Sequence, residues 1–180
     1  MTKSAFRVLG LAGAAMLASM SMPAHAGNHG QSQNVVQKAA SLDDFSTLVT
    51  AVKAADLAGT LSSKGPFTVF APNNAAFAKL PSGTVSTLVK PENKATLQSI
   101  LTYHVLAGRV TGEDILSAIN LGGGSATLFT VQGGALTATL DSHGSIVLID
   151  AKGGRSKVKA ADISQSNGVI HVIDTVVMPG

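Results

Sequence analysis

The spacing of apolar residues changes at Gly124, and this change restricts the fold more than any other feature of the chain. Before Gly124, apolar residues recur every three or four positions, as they do on one face of a helix. After it, runs rich in β-branched residues are separated by turn signals such as Gly133-Gly134 and Asn167-Gly168, because glycine and asparagine tolerate positive φ. Helices followed by antiparallel strands predict an α+β domain. The strands predicted for this half cover residues 126–131, 135–140, 145–150, 156–159 and 169–178.

The first half of the chain is predicted to be mainly helical. Residues 34–64 carry an apolar stripe at helical spacing, and Ser41 with Asp44 three positions later has the pattern of a capping box. Thr111 and Asp114 repeat that pattern before a later helix. The other predicted elements are strand 67–71, helix 72–77, helix 91–103, strand 105–110 and a helix after Thr111 that ends before Gly122.

Residues 1–26 have the pattern of a cleavable secretory signal. Two basic residues precede an uncharged run rich in leucine and alanine, and a small-x-small sequence ends at Ala26. The run is shorter than the roughly 20 apolar residues that a membrane span needs. We therefore expect residues 27–33 to be a flexible lead-in and residues 34–180 to be one domain, with no membrane span after signal removal.

The composition excludes several classes of function. Removing the signal takes away two of the 13 basic residues, which leaves a near balance with the 10 acidic residues and no basic block for nucleic acid. The chain has no cysteine, so disulfides and zinc-thiolate sites cannot form. A secreted chain that is rich in alanine and glycine and free of cysteine indicates a bacterial source, and hence the periplasm or the extracellular medium.

Three stretches of the chain resemble the signatures of the fasciclin domain family. They are residues 67–77 (FTVFAPNNAAF), 103–110 (YHVLAGRV) and 167–174 (NGVIHVID), which stand in the order and spacing of that family. The resemblance covers about residues 34–179. It implies a wedge-like antiparallel β-sandwich of about seven strands, with helices mainly from the N-terminal half. It also implies adhesion by binding a cell-surface or matrix protein or polysaccharide, without catalysis and without a cofactor.

The Tyr103-His104 pair is the part of these signatures that the resemblance links most directly to partner binding. His104 continues the apolar stripe of Leu97, Ile100 and Leu101, so a buried hydrogen-bonding role and a partner-binding role are both open. Tyr103 is predicted to lie beside that stripe. There its ring and hydroxyl can either contact a partner or pack into the protein.

The Asp162-Ile163 pair resembles an Asp-Ile pair found in animal adhesion proteins of the family. We predict that it lies in a loop between two strands, where it either contacts a partner or stays a solvated loop segment. Ala160-Ala161 precede it, whereas the animal proteins have an acid and a proline there. His171 has apolar neighbours on both sides in the last predicted strand and is expected in the core.

No pattern in the sequence indicates an enzyme. Serine, histidine and aspartate are all present, but no Gly-x-Ser-x-Gly nucleophile turn occurs. Glu113-Asp114 could serve as a carboxylate pair, yet their position in the first turn of a helix is explained by capping. We therefore expect no catalytic residue.

One metal site is predicted at the N-terminus that signal cleavage would create. Cleavage after Ala26 exposes Gly27-Asn28-His29, in which the free amine, two backbone amides and the imidazole can surround a square-planar ion. That geometry suits Cu(II) or Ni(II). An alternative function is therefore that of a periplasmic copper- or nickel-binding protein.

Overall fold

A seven-stranded sheet lies at the centre of the computed structural model, which describes residues 33–180. The strands are β1 (Phe67–Pro72), β2 (Val105–Ala107), β3 (Ser125–Phe129), β4 (Ala135–Leu140), β5 (Ile146–Ile149), β6 (Arg155–Gln165) and β7 (Gly168–Ile173). Their order across the sheet is β2-β1-β7-β6-β5-β4-β3. A bridge between Leu106 and Thr130 links β2 to the residue after β3, so the two ends of this order approach each other.

All the α-helices of the described residues precede β3. They are α1 (Val35–Ala40), α2 (Ser46–Ala54), α3 (Ala58–Ser62), α4 (Asn74–Ala78), α5 (Thr84–Leu88), α6 (Lys94–Tyr103) and α7 (Gly112–Leu121). The predicted α+β class, with about seven strands and helices mainly in the N-terminal half, is confirmed. Within residues 33–180, none of the helices is both long and apolar enough to cross a membrane.

One strand pair departs from the predicted antiparallel arrangement. β1 and β7 run parallel, with Phe67 opposite Gly168 and Pro72 opposite Ile173, whereas the other named strand pairs are antiparallel. Because parallel strands begin at the same edge of a sheet, the segments before β1 and before β7 lie side by side. About 95 residues separate β1 from β7 in the sequence, so no local sequence pattern indicates that these two strands pair.

Two main apolar clusters cover the two faces of β1. Val69 and Ala71 face a cluster built mainly with the N-terminal helices, whereas Phe70 between them faces a cluster built with α7 and the strands β4 and β5. Successive side chains of a strand point to opposite faces, so β1 is covered on both sides. This explains why β1 is apolar at every position except Thr68, whose buried hydroxyl donates to the carbonyl oxygen of Gly108.

The predicted helix 34–64 is three short α-helices, with a 3-10 turn at Asp43–Phe45 between the first two. Asp56 has a φ of 60°, which ends the regular helix after α2. The predicted capping box of Ser41 is wrong: its hydroxyl donates to the carbonyl oxygen of Lys38, at the end of α1. Asn34 caps α1 instead. The box predicted at Thr111 is confirmed at the start of α7.

Several strand boundaries also differ from the prediction. The last predicted strand, 169–178, ends at Ile173, and the predicted strand 126–131 ends at Phe129. β2 stops at Ala107 rather than residue 110, because Gly108 adopts a φ of 99°. β6 continues to Gln165 and therefore includes the Asp162-Ile163 pair, which the sequence placed in a loop.

Candidate functional site

Tyr103 lies in the core at the end of α6. Its side chain is fully buried, so of the two roles that the sequence left open the structure supports packing into the protein, and Tyr103 does not lie beside the buried stripe as predicted. α6 contacts more than one apolar cluster, because Leu101 faces the N-terminal helices while Tyr103 packs with Phe70 and Leu136 on the other side. A helix covered on two sides buries residues outside its main stripe.

The Tyr103 hydroxyl connects α6 to two turns of the sheet. It donates a 2.6 Å hydrogen bond to the carbonyl oxygen of Ala135 and accepts one from the amide of Ala151 at 3.2 Å. Burial raises the pKa of Tyr103, so the hydroxyl stays protonated and can donate. The ring also lies against Gly134, where an added Cβ would approach a ring carbon to 2.6 Å. Tyr103 therefore supports the turn between β3 and β4 from beneath.

His104 uses both ring nitrogens inside the protein. Nδ1 donates to the carbonyl oxygen of Ile100 at 2.8 Å, and Nε2 accepts from the amide of Val177 at 3.2 Å. Burial lowers the pKa of His104 to about 4, although the bond to Ile100 and the charge of Asp150 act in the opposite direction. The imidazole is therefore neutral at physiological pH. The predicted direct contact of Tyr103 and His104 with a partner conflicts with this burial.

The Asp162-Ile163 pair occupies an irregular part of β6. The pairing with β7 shifts between Ala160 and Ile163, and Asp162 has a φ of 62°. A shift of this kind inserts residues into one strand and turns their side chains away from the ladder. Asp162 is exposed, whereas Ile163 is partly buried against the N-terminal helical cluster.

His171 links this irregular segment to the region before α7. Its Nδ1 accepts a bond from the Asp162 amide at 3.3 Å, and its Nε2 donates to the carbonyl oxygen of Val110 at 2.9 Å. The ring centroid lies 5.5 Å from that of Phe70. The expected burial of His171 is confirmed, since its side chain is inaccessible to solvent.

The turn between β3 and β4 carries an exposed apolar surface that the sequence analysis missed. Phe129 is 74% exposed and Val131 is 48% exposed, and Ala135 lies opposite Phe129 across the strand pair. We call these three residues the hairpin patch. Thr130 between them is buried and donates its hydroxyl to the carbonyl oxygen of Gly134. The alternation of buried Thr130 with apolar neighbours is the signal that could have revealed the patch.

The predicted metal site lies outside the described residues. Gly27, Asn28 and His29 precede residue 33, where the described structure begins. Within residues 33–180, no group of three or more histidine or acidic side chains is arranged to hold a metal ion.

Comparisons with known proteins match both the sequence and the fold. A family model described as the fasciclin domain matches residues 43–179. Protein sll1483 of Synechocystis is 47% identical over 81% of this chain and 73% of its own length. Immunogenic protein MPB70 of Mycobacterium bovis is 36% identical over 83% of this chain and 72% of its own length. A solved FAS1 domain pair from insect Fasciclin I has a TM-score of 0.70 at 24% identity, over 81% of this chain and 51% of that structure. The chain belongs to the fasciclin domain family.

Proposed function

We propose that the protein is a secreted, non-enzymatic adhesion module that binds a cell-surface or extracellular-matrix component. The observation that carries this proposal is the exposure of Phe129 on the β3–β4 hairpin of a fasciclin domain. The matching domain pair comes from an insect cell adhesion molecule, which supports a binding role. The signal pattern of residues 1–26 supports export to the periplasm or the medium.

The hairpin patch has the features of a contact surface. Phe129 is the one exposed aromatic side chain among the described residues. An aromatic ring contributes a large contact area with little loss of side-chain entropy, and exposed apolar groups on a fixed framework are common at binding sites. Tyr103 fixes this framework through its bond to Ala135, so we assign to it a positioning role rather than a direct contact.

Substitution of Phe129 tests this surface. We expect Phe129→Ser to reduce binding of the purified protein to intact cells or matrix by about thirtyfold, because loss of a central aromatic contact commonly costs about 2 kcal/mol. Leu121→Ser is the matched control, since Leu121 is 90% exposed at the end of α7 and lies outside the patch. Equal binding by the two variants would contradict a role for the patch.

The Asp162-Ile163 pair remains a proposed second contact. The Oδ1 atom of Asp162 accepts a bond from the amide of Gly112, while Oδ2 accepts no hydrogen bond within residues 33–180 and is free for a partner. Asp162→Asn can retain the oxygen that accepts from Gly112, and it replaces the negatively charged Oδ2 acceptor by an NH₂ donor. We expect it to weaken cell or matrix binding, whereas Asp44→Asn, at another exposed acid, serves as the control and leaves binding unchanged.

A further inference from the structure

A polar cleft of about 470 Å³ lies where the starts of β1 and β7 meet the end of β2. The parallel pair β1–β7 places both starts at one edge of the sheet, and the antiparallel strand β2 ends at that edge. Lys64 before β1, Arg109 after β2 and Ser166 before β7 therefore line the same cleft.

Asn167 holds the walls of this cleft together. Its side-chain oxygen accepts a bond from the amide of Val35 at 2.9 Å. Its side-chain nitrogen donates to the carbonyl oxygens of Leu61 and Ser63 at 2.8 and 3.0 Å. The start of α1 and the end of α3 are thus attached to the turn before β7, and hydrogen bonds of the chain itself fix the shape of the cleft.

Four side chains in the cleft, those of Asn34, Gln37, Lys64 and Arg109, carry nitrogen groups that can donate hydrogen bonds to a ligand. The Asn34 side-chain oxygen accepts from the amide of Gln37 at 2.8 Å, and the Gln37 oxygen accepts from the amide of Asn34 at 3.0 Å. Both side-chain oxygens are therefore occupied, and each NH₂ group remains without a partner within residues 33–180. Lys64 and Arg109 are exposed and form no ion pair in this part of the chain. Among residues 33–180, no aspartate or glutamate lines the cleft.

We propose that this cleft binds an acidic saccharide, a sugar chain whose units carry carboxylate or sulfate groups. Two cations and two amide donors match oxyanion acceptors, and the hydroxyls of Ser62 and Ser166 match sugar hydroxyls. A surface that offers donors and positive charge without an acid favours an anionic sugar over a neutral one. The inference names a partner class for the binding function proposed above and rests on it, but it uses residues outside the hairpin patch.

Calorimetric titration of the purified protein tests the inference with oligogalacturonate, dextran sulfate and neutral dextran. Binding of either acidic saccharide in preference to neutral dextran supports the proposal, and the two arms identify the anion as carboxylate or sulfate. Lys64→Gln combined with Arg109→Gln is expected to weaken binding about tenfold or more. The control combines Lys53→Gln with Lys152→Gln, which removes the same charge from exposed positions outside the cleft. Equal weakening in the control, or equal binding of neutral dextran, overturns the proposal.

Gln37→Glu is a second test that preserves the fold. Glutamate keeps the oxygen that accepts from the Asn34 amide, as in an ordinary capping box, but replaces the free NH₂ group by a negatively charged oxygen. We expect about tenfold weaker binding at an unchanged unfolding temperature, and unchanged binding would overturn the proposal. The titration contains no cells, so a lack of saccharide binding contradicts the cleft proposal and leaves the adhesion proposal in place. Unaltered adhesion of Phe129→Ser protein would instead contradict the proposed hairpin contact.

Discussion

The carboxylate of Asp162 accepts a hydrogen bond from the backbone amide of Gly112 at 2.8 Å, across 50 positions of sequence. Gly112 is the first residue of α7, and the first amides of a helix have no acceptor within the helix. The amide of Asp162 also donates to Nδ1 of His171. Asp162 therefore joins the irregular segment of β6 to both α7 and β7, although its side chain is exposed.

Replacement of Asp162 is expected to separate its charge from its structural contacts. Asparagine tolerates the φ of 62° and keeps an accepting oxygen, so Asp162→Asn should change the free energy of unfolding by only about 0.5 kcal/mol. Asp162→Ala loses the hydrogen bond from the Gly112 amide. It also places an alanine at a positive φ, which is unfavourable for residues other than glycine, asparagine and aspartate. We expect it to lower the free energy of unfolding by about 1–3 kcal/mol in urea denaturation. Equal stability of the two variants would contradict this account.

Removing the Tyr103 hydroxyl is expected to loosen the turn that carries the hairpin patch. Tyr103→Phe keeps the ring but leaves the carbonyl oxygen of Ala135 and the amide of Ala151 without this partner. The free energy of unfolding should fall by about 1–3 kcal/mol. Hydrogen exchange should accelerate at the amides of Ala151 and Gly133, whereas that of Leu148, in a buried strand, should follow global unfolding alone. Uniform acceleration at all three amides would argue against a local effect.

Because of His104, we expect the free energy of unfolding to fall as the pH is lowered. Its pKa falls from 6.5 to about 4 on folding, chiefly because of burial. Between these values the unfolded chain takes up a proton that the folded chain does not, so stability decreases as the pH falls through this window. The contribution levels off below about pH 4. The total loss should be about 3 kcal/mol at most, measured by urea unfolding at a series of pH values.

A pair of histidine variants isolates this effect. His104→Gln removes the titrating group and should flatten the dependence of stability on pH between pH 4 and 6.5, whatever its effect on stability at neutral pH. His143→Gln changes an exposed histidine in the turn after β4 and should leave the slope nearly unchanged. The same slope in both variants would mean that His104 is not the group responsible.

The features that the sequence predicted correctly depend on neighbours close in the chain. The capping box of Thr111 and Asp114 involves residues three positions apart, and the strands after Gly124 are marked by β-branched runs between glycine turns. Such patterns report local conformation directly, because the backbone and nearby side chains determine them. The class of the fold followed from the order of these local elements.

The features that sequence analysis missed depend on partners far along the chain. Tyr103 is buried because a hairpin more than 30 positions later covers it, and the spacing within α6 contains no trace of that hairpin. Asp162 reads as a loop residue because its partners, Gly112 and His171, are identified only when β6 pairs with β7. The parallel pairing of β1 with β7 is likewise a property of the whole connection between them.

The N-terminal sequence Gly27-Asn28-His29 predicts copper binding if signal cleavage follows Ala26. Mass spectrometry of the secreted protein should identify Gly27 as the first residue, because the signal pattern ends there. The mature protein should then bind about one Cu(II) ion per chain in a spectroscopic titration, and His29→Ala should lose this site. His143→Ala is the control. Equal copper binding by wild type and His29→Ala would exclude this terminus as a metal site.

Replacing Gly65 or Gly59 by alanine is expected to change the free energy of unfolding in opposite directions. A Cβ at Gly65 would overlap the carbonyl oxygen of Asn167 and lie 2.7 Å from the amide nitrogen of Phe67, so the start of β1 must move away from the turn before β7. We expect Gly65→Ala to lower the free energy of unfolding by about 1–3 kcal/mol.

Gly59 lies within α3, and no atom lies within 4 Å of a Cβ added there. There Gly59→Ala should raise the free energy of unfolding by about 0.5–1 kcal/mol, because alanine loses less backbone entropy in a helix. Urea denaturation of both variants measures the difference, and a shift in the same direction would contradict the close packing at Gly65.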